Sequence, residues 1–377
     1  GGMLDAGFVG QITYTISLDQ VYDELDIHFS FDKRLYSESD VTPELIDKLQ
    51  TLCTAKYDAP TYPVEEFRQT ILHEMKTEIH TMAELNDNFI GCIHRQLTDR
   101  HMLYTKEFTS DGCLAQDTFS GVLKVTVLVF NVLLDNTQYT LTVSGHPVGQ
   151  GVIAPNFNLM DTVKTAAGNA GASNAAGSAD NSCDAESAPA SAVATAGSSG
   201  VSGAGSAATA GDSSTTGSSS ADNTVTASTR FKRLELHNHT VESDGNLTCQ
   251  ELTEYLAADH VDAFAITDHN TTSGQKKIEQ LLEEKHYPIS LIRGMEYTTY
   301  FGHILCLNLA KYVPWNSIDQ HRPELLFEAA REKGALVGIA HPFSYGDPFA
   351  RGCRFEMTVS DYSKVDFIEI FNNPESL

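Results

Sequence analysis

The stretch that decides the fold is LELHNHTVESDGN, residues 234–246. Residues 234–240 are predicted to form a strand, and a Ser-Asp-Gly turn containing Asp244 follows. Successive side chains of a strand point to opposite faces, so His237 and His239 share one face. Two imidazoles that converge from one strand make half of a metal site. A His-x-His pair alone is weak evidence for a metal site, so the prediction depends on further ligands elsewhere in the chain.

Further histidine and acidic residues fall at the ends of later predicted strands, and helices are predicted between most of these strands. The alternation of strand and helix predicts an α/β fold with a parallel sheet, as in a barrel or near-barrel. In such folds the functional residues collect at the carboxyl ends of the strands. The strand-end residues are Asp268, His269, Glu296, His303 and His341.

The motifs HNH-T-VESDG, AITDHN-T, GME, GH and AHP, in this order, resemble those of the polymerase-and-histidinol-phosphatase (PHP) superfamily over residues 234–373. With the preceding domain, the chain most resembles the CehA/McbA-type metallohydrolase branch. The resemblance implies a PHP-type distorted (β/α)7 barrel that holds two or three divalent metal ions, namely zinc, manganese or iron.

The resemblance also implies seven metal ligands in three groups, with Glu296 shared by the first two. The groups are His237, His239 and Glu296, then Glu296, His303 and His341, and finally Asp244 and His269.

Glu296 and Asp268 are the predicted catalytic residues. Asp268 fits a carboxylate that orients a ligand imidazole, or alternatively a helix N-cap. Arginines favour phosphate binding, although each is equally explained as an ordinary surface residue. The candidates for holding a phosphate are Arg293, Arg351 and Arg354.

The implied function is a metal-dependent hydrolase. It is predicted to be a phosphoesterase that activates water against a phosphorylated small molecule, a nucleotide or an oligonucleotide end. The alternatives are a carbamate or ester hydrolase and a non-enzymatic binding protein with an inert barrel. PHP domains continue to an Asp-x-His motif, which does not follow Phe371, so a C-terminally truncated fragment with an incomplete barrel is expected.

The chain is acidic, with a formal net charge of -25. This charge argues against extended nucleic-acid binding through a basic surface. With neither an apolar run long enough to span a membrane nor a visible signal peptide, a cytoplasmic location without membrane contact is expected. The sequence leaves the oligomeric state open.

Composition divides the chain into three parts. Residues 163–229 are dominated by Ala, Gly, Ser and Thr, which predicts a flexible linker between domains at 1–162 and 230–377. The first domain is predicted to be a β-sandwich-like unit with a helical insertion, including one long helix over 64–96. Its histidines, His94 among them, are interpreted as ordinary surface or core residues.

Overall fold

The computed structural model describes residues 1–149, 232–319 and 321–371. The predicted linker lies outside these ranges, so the domain boundaries stay predictions. Two β-sheets, one from each described half of the chain, belong to one compact unit.

The N-terminal strands form a single seven-stranded sheet. They are β1 (Gly2–Leu4), β2 (Gly10–Phe31), β3 (Glu78–Leu85), β4 (Asn88–Ile93), β5 (Asp99–Tyr104), β6 (Phe119–Asn131) and β7 (Thr137–Pro147). Their order is β1-β7-β2-β6-β3-β4, with β5 also paired to β2. Strand β2 changes partners along its length, from β6 to β5 and β7, with a register shift after Leu18. One long strand thus joins all the pairings, and the sandwich-like arrangement stays a prediction.

Two helices follow β2 in the chain, α1 (Pro43–Tyr57) and α2 (Val64–Glu74), and they form an apolar cluster that includes Leu133. The Thr42 hydroxyl accepts a hydrogen bond from Leu45 N and so caps the start of α1. The prediction of one helix over 64–96 is wrong beyond Glu74, where β3 and β4 follow. Strand β3 is buried on both faces, so its apolar residues imitate a helical spacing. Asn86 and Asp87, both with positive φ, form the turn to β4.

The C-terminal sheet has the order β13-β12-β11-β10-β9-β8. Its strands are β8 (Leu234–Glu235), β9 (Ala263–Ile266), β10 (Ser290–Thr299), β11 (Gly302–Leu307), β12 (Leu336–Ile339) and β13 (Phe367–Ile368). The helices are α3 (Cys249–Ala258), α4 (Ser273–Lys285) and α5 (Pro323–Glu332), and a 3₁₀ turn spans Tyr362–Lys364.

This sheet is mixed, whereas a parallel sheet was predicted. Strand β11 is antiparallel to both β10 and β12, and the other neighbours are parallel. Only two residues, Tyr300 and Phe301, join β10 to β11, and so short a connection makes a hairpin. The α/β class is confirmed in this mixed form, but the described residues do not show a closed barrel.

One apolar cluster joins the two sheets. Met82 and Phe130 from the first sheet pack with Tyr297 and Trp315 from the second part of the chain, all fully buried. This shared core fixes β4 beside the strand ends of the second sheet. Among the described residues, no helix has both the length and the apolar character needed to cross a membrane.

Candidate metal centre

Glu296 is the centre of the candidate site. It lies in β10 with no exposed side-chain surface. Oε2 lies 2.8 Å from His237 Nε2, 3.2 Å from His239 Nε2 and 3.4 Å from His269 Nδ1. Oε1 lies 2.9 Å from both His303 Nδ1 and His341 Nε2. One carboxylate thus contacts five imidazoles.

The strand ends explain this convergence. His237 and His239 follow β8, His269 follows β9, and His341 follows β12, while His303 begins β11 opposite Thr298 of β10. All seven residues predicted as metal ligands lie at this end of the sheet. Their proximity is an observation, and their role as ligands stays a prediction.

Several neighbours orient the imidazoles. Glu369, which follows β13, lies with Oε1 3.0 Å from His237 Nδ1, and its Oε2 accepts from the His341 backbone. The Cys353 carbonyl lies 3.1 Å from His341 Nδ1. The two contacts to ring Nδ1 atoms leave Nε2 of His237 and of His341 facing Glu296. Carboxylate and carbonyl groups orient metal-binding histidines in the same way. Sequence reasoning missed Glu369, which lay inside the strand predicted over residues 366–371, whereas the observed β13 ends one residue before it.

The charges at the centre are strongly coupled. Burial opposes protonation of His237, but Glu296 and Glu369 outweigh it and raise its pKa to about 10. Burial likewise raises the pKa of Glu296, yet the imidazoles, His237 foremost, hold it well below its usual value. Imidazoles must be deprotonated to bind a metal, so binding of a cation here would release protons.

A second cluster adjoins the first. Asp244 Oδ2 lies 3.6 Å from His269 Nε2 and 3.5 Å from His94 Nε2. His94 follows β4 of the N-terminal sheet and is buried, and the interpretation of it as an ordinary core histidine is not tested by this contact. No feature of the sequence indicates the contact, because it depends on how two distant segments pack.

Asp268 holds the loop that carries the ligands. Its carboxylate accepts hydrogen bonds from Thr240 N at 2.7 Å, Thr240 Oγ1 at 2.9 Å and Ser243 Oγ at 2.7 Å. Burial raises its pKa to about 6. These donors belong to the loop, and the imidazole-orienting role of Asp268 stays a prediction. The N-cap alternative is wrong, since Thr272 caps α4.

Replacing Asp268 by alanine is expected to destabilise the protein by about 3 kcal/mol, because the buried Thr240 N–H loses its acceptor. Urea denaturation of the metal-free protein measures this change. The control is Asp361→Ala, which removes an exposed carboxylate that accepts from Ser363 and is expected to cost about 1 kcal/mol or less. Equal losses in the two variants would contradict the assigned role.

The predicted substrate-binding arginines have other partners. Arg293 is 48% exposed at its side chain and pairs with Glu279 of α4. Arg351 pairs with Asp347 at 2.8 Å, and Arg354 lies over the Tyr57 ring. None of these contacts is with the centre. Arg351 and Arg354 do flank Cys353, whose carbonyl contacts His341.

The donor set fits divalent metal ions. His237 Nε2 and His239 Nε2 lie only 3.0 Å apart and face the same oxygen of Glu296. A cation bound by both nitrogens would remove the repulsion between them. His239 Nδ1 is buried without a hydrogen-bond partner among the described residues. At this centre, three groups bring their ligand atoms within 4.8 Å of one another, namely His237, His239 and Glu296; His269, Glu296 and His303; and His94, Asp244 and His269. Mixed imidazole and carboxylate sets suit zinc, manganese and iron alike.

Comparison with known proteins finds a family match for the N-terminal part of the chain. Residues 1–147 match a family of unknown function (DUF6669). The chain is 36% identical over 141 residues to a 5'-3' exoribonuclease of Haemophilus influenzae, covering 35% of this chain and 50% of that protein. It is 30% identical over 112 residues to an uncharacterized protein of Methanocaldococcus jannaschii, covering 30% and 58%. The chain thus spans about half the length of these curated relatives.

Among solved structures, the chain is similar to one from Bacteroides vulgatus described as a two-domain protein containing a predicted PHP-like metal-dependent phosphoesterase. The identity is 22%, the TM-score is 0.27, and the match covers 31% of this chain and 38% of that one. This likeness is too distant to support an argument about the fold.

Proposed function

We propose that the chain is a metal-dependent phosphoesterase of the PHP type that hydrolyses the phosphoester of a nucleotide or an oligonucleotide end. One observation carries the proposal: a fully buried carboxylate, Glu296, contacts five imidazoles at the strand ends of the second sheet. The 5'-3' exoribonuclease among its relatives supports phosphoester chemistry.

Divalent ions held here would lower the pKa of water and stabilise charge on phosphoryl oxygens. Glu296 and its two pairs of histidines would hold two such ions, with one carboxylate oxygen toward His237 and His239 and the other toward His303 and His341. Glu369 and the Cys353 carbonyl keep two of these rings in place, so the ligands are oriented before an ion binds.

Exposed aromatic residues favour a substrate that contains a nucleobase. Phe343 and Tyr345, which are 70% and 54% exposed, lie shortly after His341 in the chain. Aromatic side chains bind bases by stacking without a strong preference for sequence. Arg354, which donates to the Phe343 carbonyl, lies in the same loop and offers positive charge. The acidic surface of the whole chain suits a single nucleotide end better than a long strand.

The test is a substrate panel with Mn²⁺ or Zn²⁺ and a matched chelator control. A 5'-phosphorylated trinucleotide, glycerol phosphate and an aryl carbamate would be compared. We expect hydrolysis of the trinucleotide that the chelator abolishes, with kcat/KM about ten-fold above that of glycerol phosphate because stacking adds over 1 kcal/mol. Hydrolysis of the carbamate alone, or of no substrate by metal-loaded protein, would contradict the proposal.

A further inference from the structure

The His94 side chain reaches the C-terminal site from the N-terminal sheet. It follows β4, and its ring stacks on that of His269 with the centroids 4.1 Å apart. On its other side the His80 ring lies with its centroid 4.2 Å away. His94 is only 1% exposed, so the ring is confined between two other imidazoles in a buried position.

The backbone around His94 is docked on the loop that carries Asp244. The neighbouring Arg95 donates from Nη2 to the Gly245 carbonyl at 2.6 Å, and Gln96 Nε2 donates to the His94 carbonyl at 2.9 Å. Arg95 thus contacts Gly245, and the adjacent residue His94 lies next to Asp244. The bond between Arg95 and Gly245 helps to hold His94 close to Asp244.

The remaining donor atoms point to the same place. The Thr298 hydroxyl lies 2.6 Å from His269 Nδ1, and when that nitrogen donates to it the lone pair of Nε2 faces Asp244. Two imidazole nitrogens and the Asp244 carboxylate thus face one another in a largely buried position, which is a set of ligands typical of zinc.

We propose that His94 binds a divalent ion together with Asp244 and His269, so that the N-terminal sheet supplies a ligand to the metal centre of the C-terminal part. This inference rests on the proposed metal centre and extends it. It gives the N-terminal sheet a function: the third ion binds fully only while β4 is docked on the 243–245 loop.

The experiment compares the full chain with His94→Gln after equilibration with Zn²⁺ and removal of excess metal. The number of zinc ions bound per chain is measured by inductively coupled plasma mass spectrometry. We expect His94→Gln to hold one ion fewer than the unchanged chain. The matched control is His73→Gln, which changes an exposed histidine of α2 and is expected to keep the full number of ions.

The outcomes separate the two proposals. A chain that binds no zinc overturns the proposed metal centre itself. If His94→Gln keeps as many ions as the unchanged chain, only the role of His94 is overturned. If His94→Gln does not fold, anomalous diffraction from zinc-loaded crystals of the unchanged chain decides. An ion about 2.0–2.1 Å from a His94 ring nitrogen supports the proposal, and a His94 ring without an ion contradicts it.

Discussion

Glu296→Gln is expected to abolish metal binding between the two pairs of histidines and to lower phosphoester hydrolysis by about a thousand-fold or more. The substitution keeps the size of the side chain but replaces one carboxylate oxygen with an NH₂ group. That group donates hydrogen bonds, so it cannot serve as a ligand, and the remaining oxygen is uncharged. Losing about 4 kcal/mol of charge stabilisation corresponds to this factor.

Zinc content and kcat/KM for the trinucleotide measure the effect. The matched control is Glu279→Gln, because Glu279 is a carboxylate of α4 that pairs with Arg293 away from the centre. It is expected to keep both zinc and activity. A thermal melt of each metal-free variant separates loss of a ligand from loss of the fold. Retained zinc and activity in Glu296→Gln would rule out the central role of this carboxylate.

The proximity of the residues around Glu296 could be expected from the sequence for a physical reason, whereas their role as ligands stays a prediction. A strand end is a local property, visible where an apolar run stops and a polar residue begins. His269 and His341 each follow such a run, and strands of one sheet bring their ends to one edge. The groups around Glu296 could therefore be brought together without knowledge of the strand order.

What the sequence could not predict depends on contacts between distant segments. His94 reaches Asp244 only because the core shared by the two sheets places β4 beside the 243–245 loop. The direction of β11 was predictable from the two-residue connection before Gly302, but the βα rhythm of the surrounding chain favoured a parallel strand. The helix predicted over 64–96 failed because β3 is buried on both faces and so has no alternating pattern.

Gly112 is a sensitive point of contact between the two parts. Its N–H donates to Glu242 Oε2 at 3.0 Å, and its carbonyl accepts from Thr271 Oγ1 at 2.9 Å. Its φ of +78° lies in the left-handed region, and an added Cβ would lie 2.3 Å from the Cys92 carbonyl oxygen and 2.9 Å from that of Glu242. Both obstacles are backbone atoms, which cannot move aside as a side chain can.

Gly112→Ala is therefore expected to destabilise the protein by about 3 kcal/mol, of which about 1 kcal/mol comes from the left-handed backbone and the rest from displacing the two segments. Gly7→Ala is the matched control, because Gly7 has a φ of +77° but no heavy atom within 4 Å of an added Cβ. Gly7→Ala is expected to lower the free energy of unfolding only by the contribution of the left-handed backbone, about 1 kcal/mol. Urea denaturation of both variants measures the difference.

The same substitution also tests how the metal centre depends on the docking of the two sheets. Cys92 precedes His94 by two residues, and Glu242 precedes Asp244 by two, so an alanine at 112 pushes apart the two segments that carry these ligands. The His94-dependent ion is then expected to bind more weakly, although no ligand has been changed, while the ions at Glu296 remain. Equal stability of Gly112→Ala and Gly7→Ala, with unchanged zinc content, would show that the segments are not in the close contact on which this expectation depends.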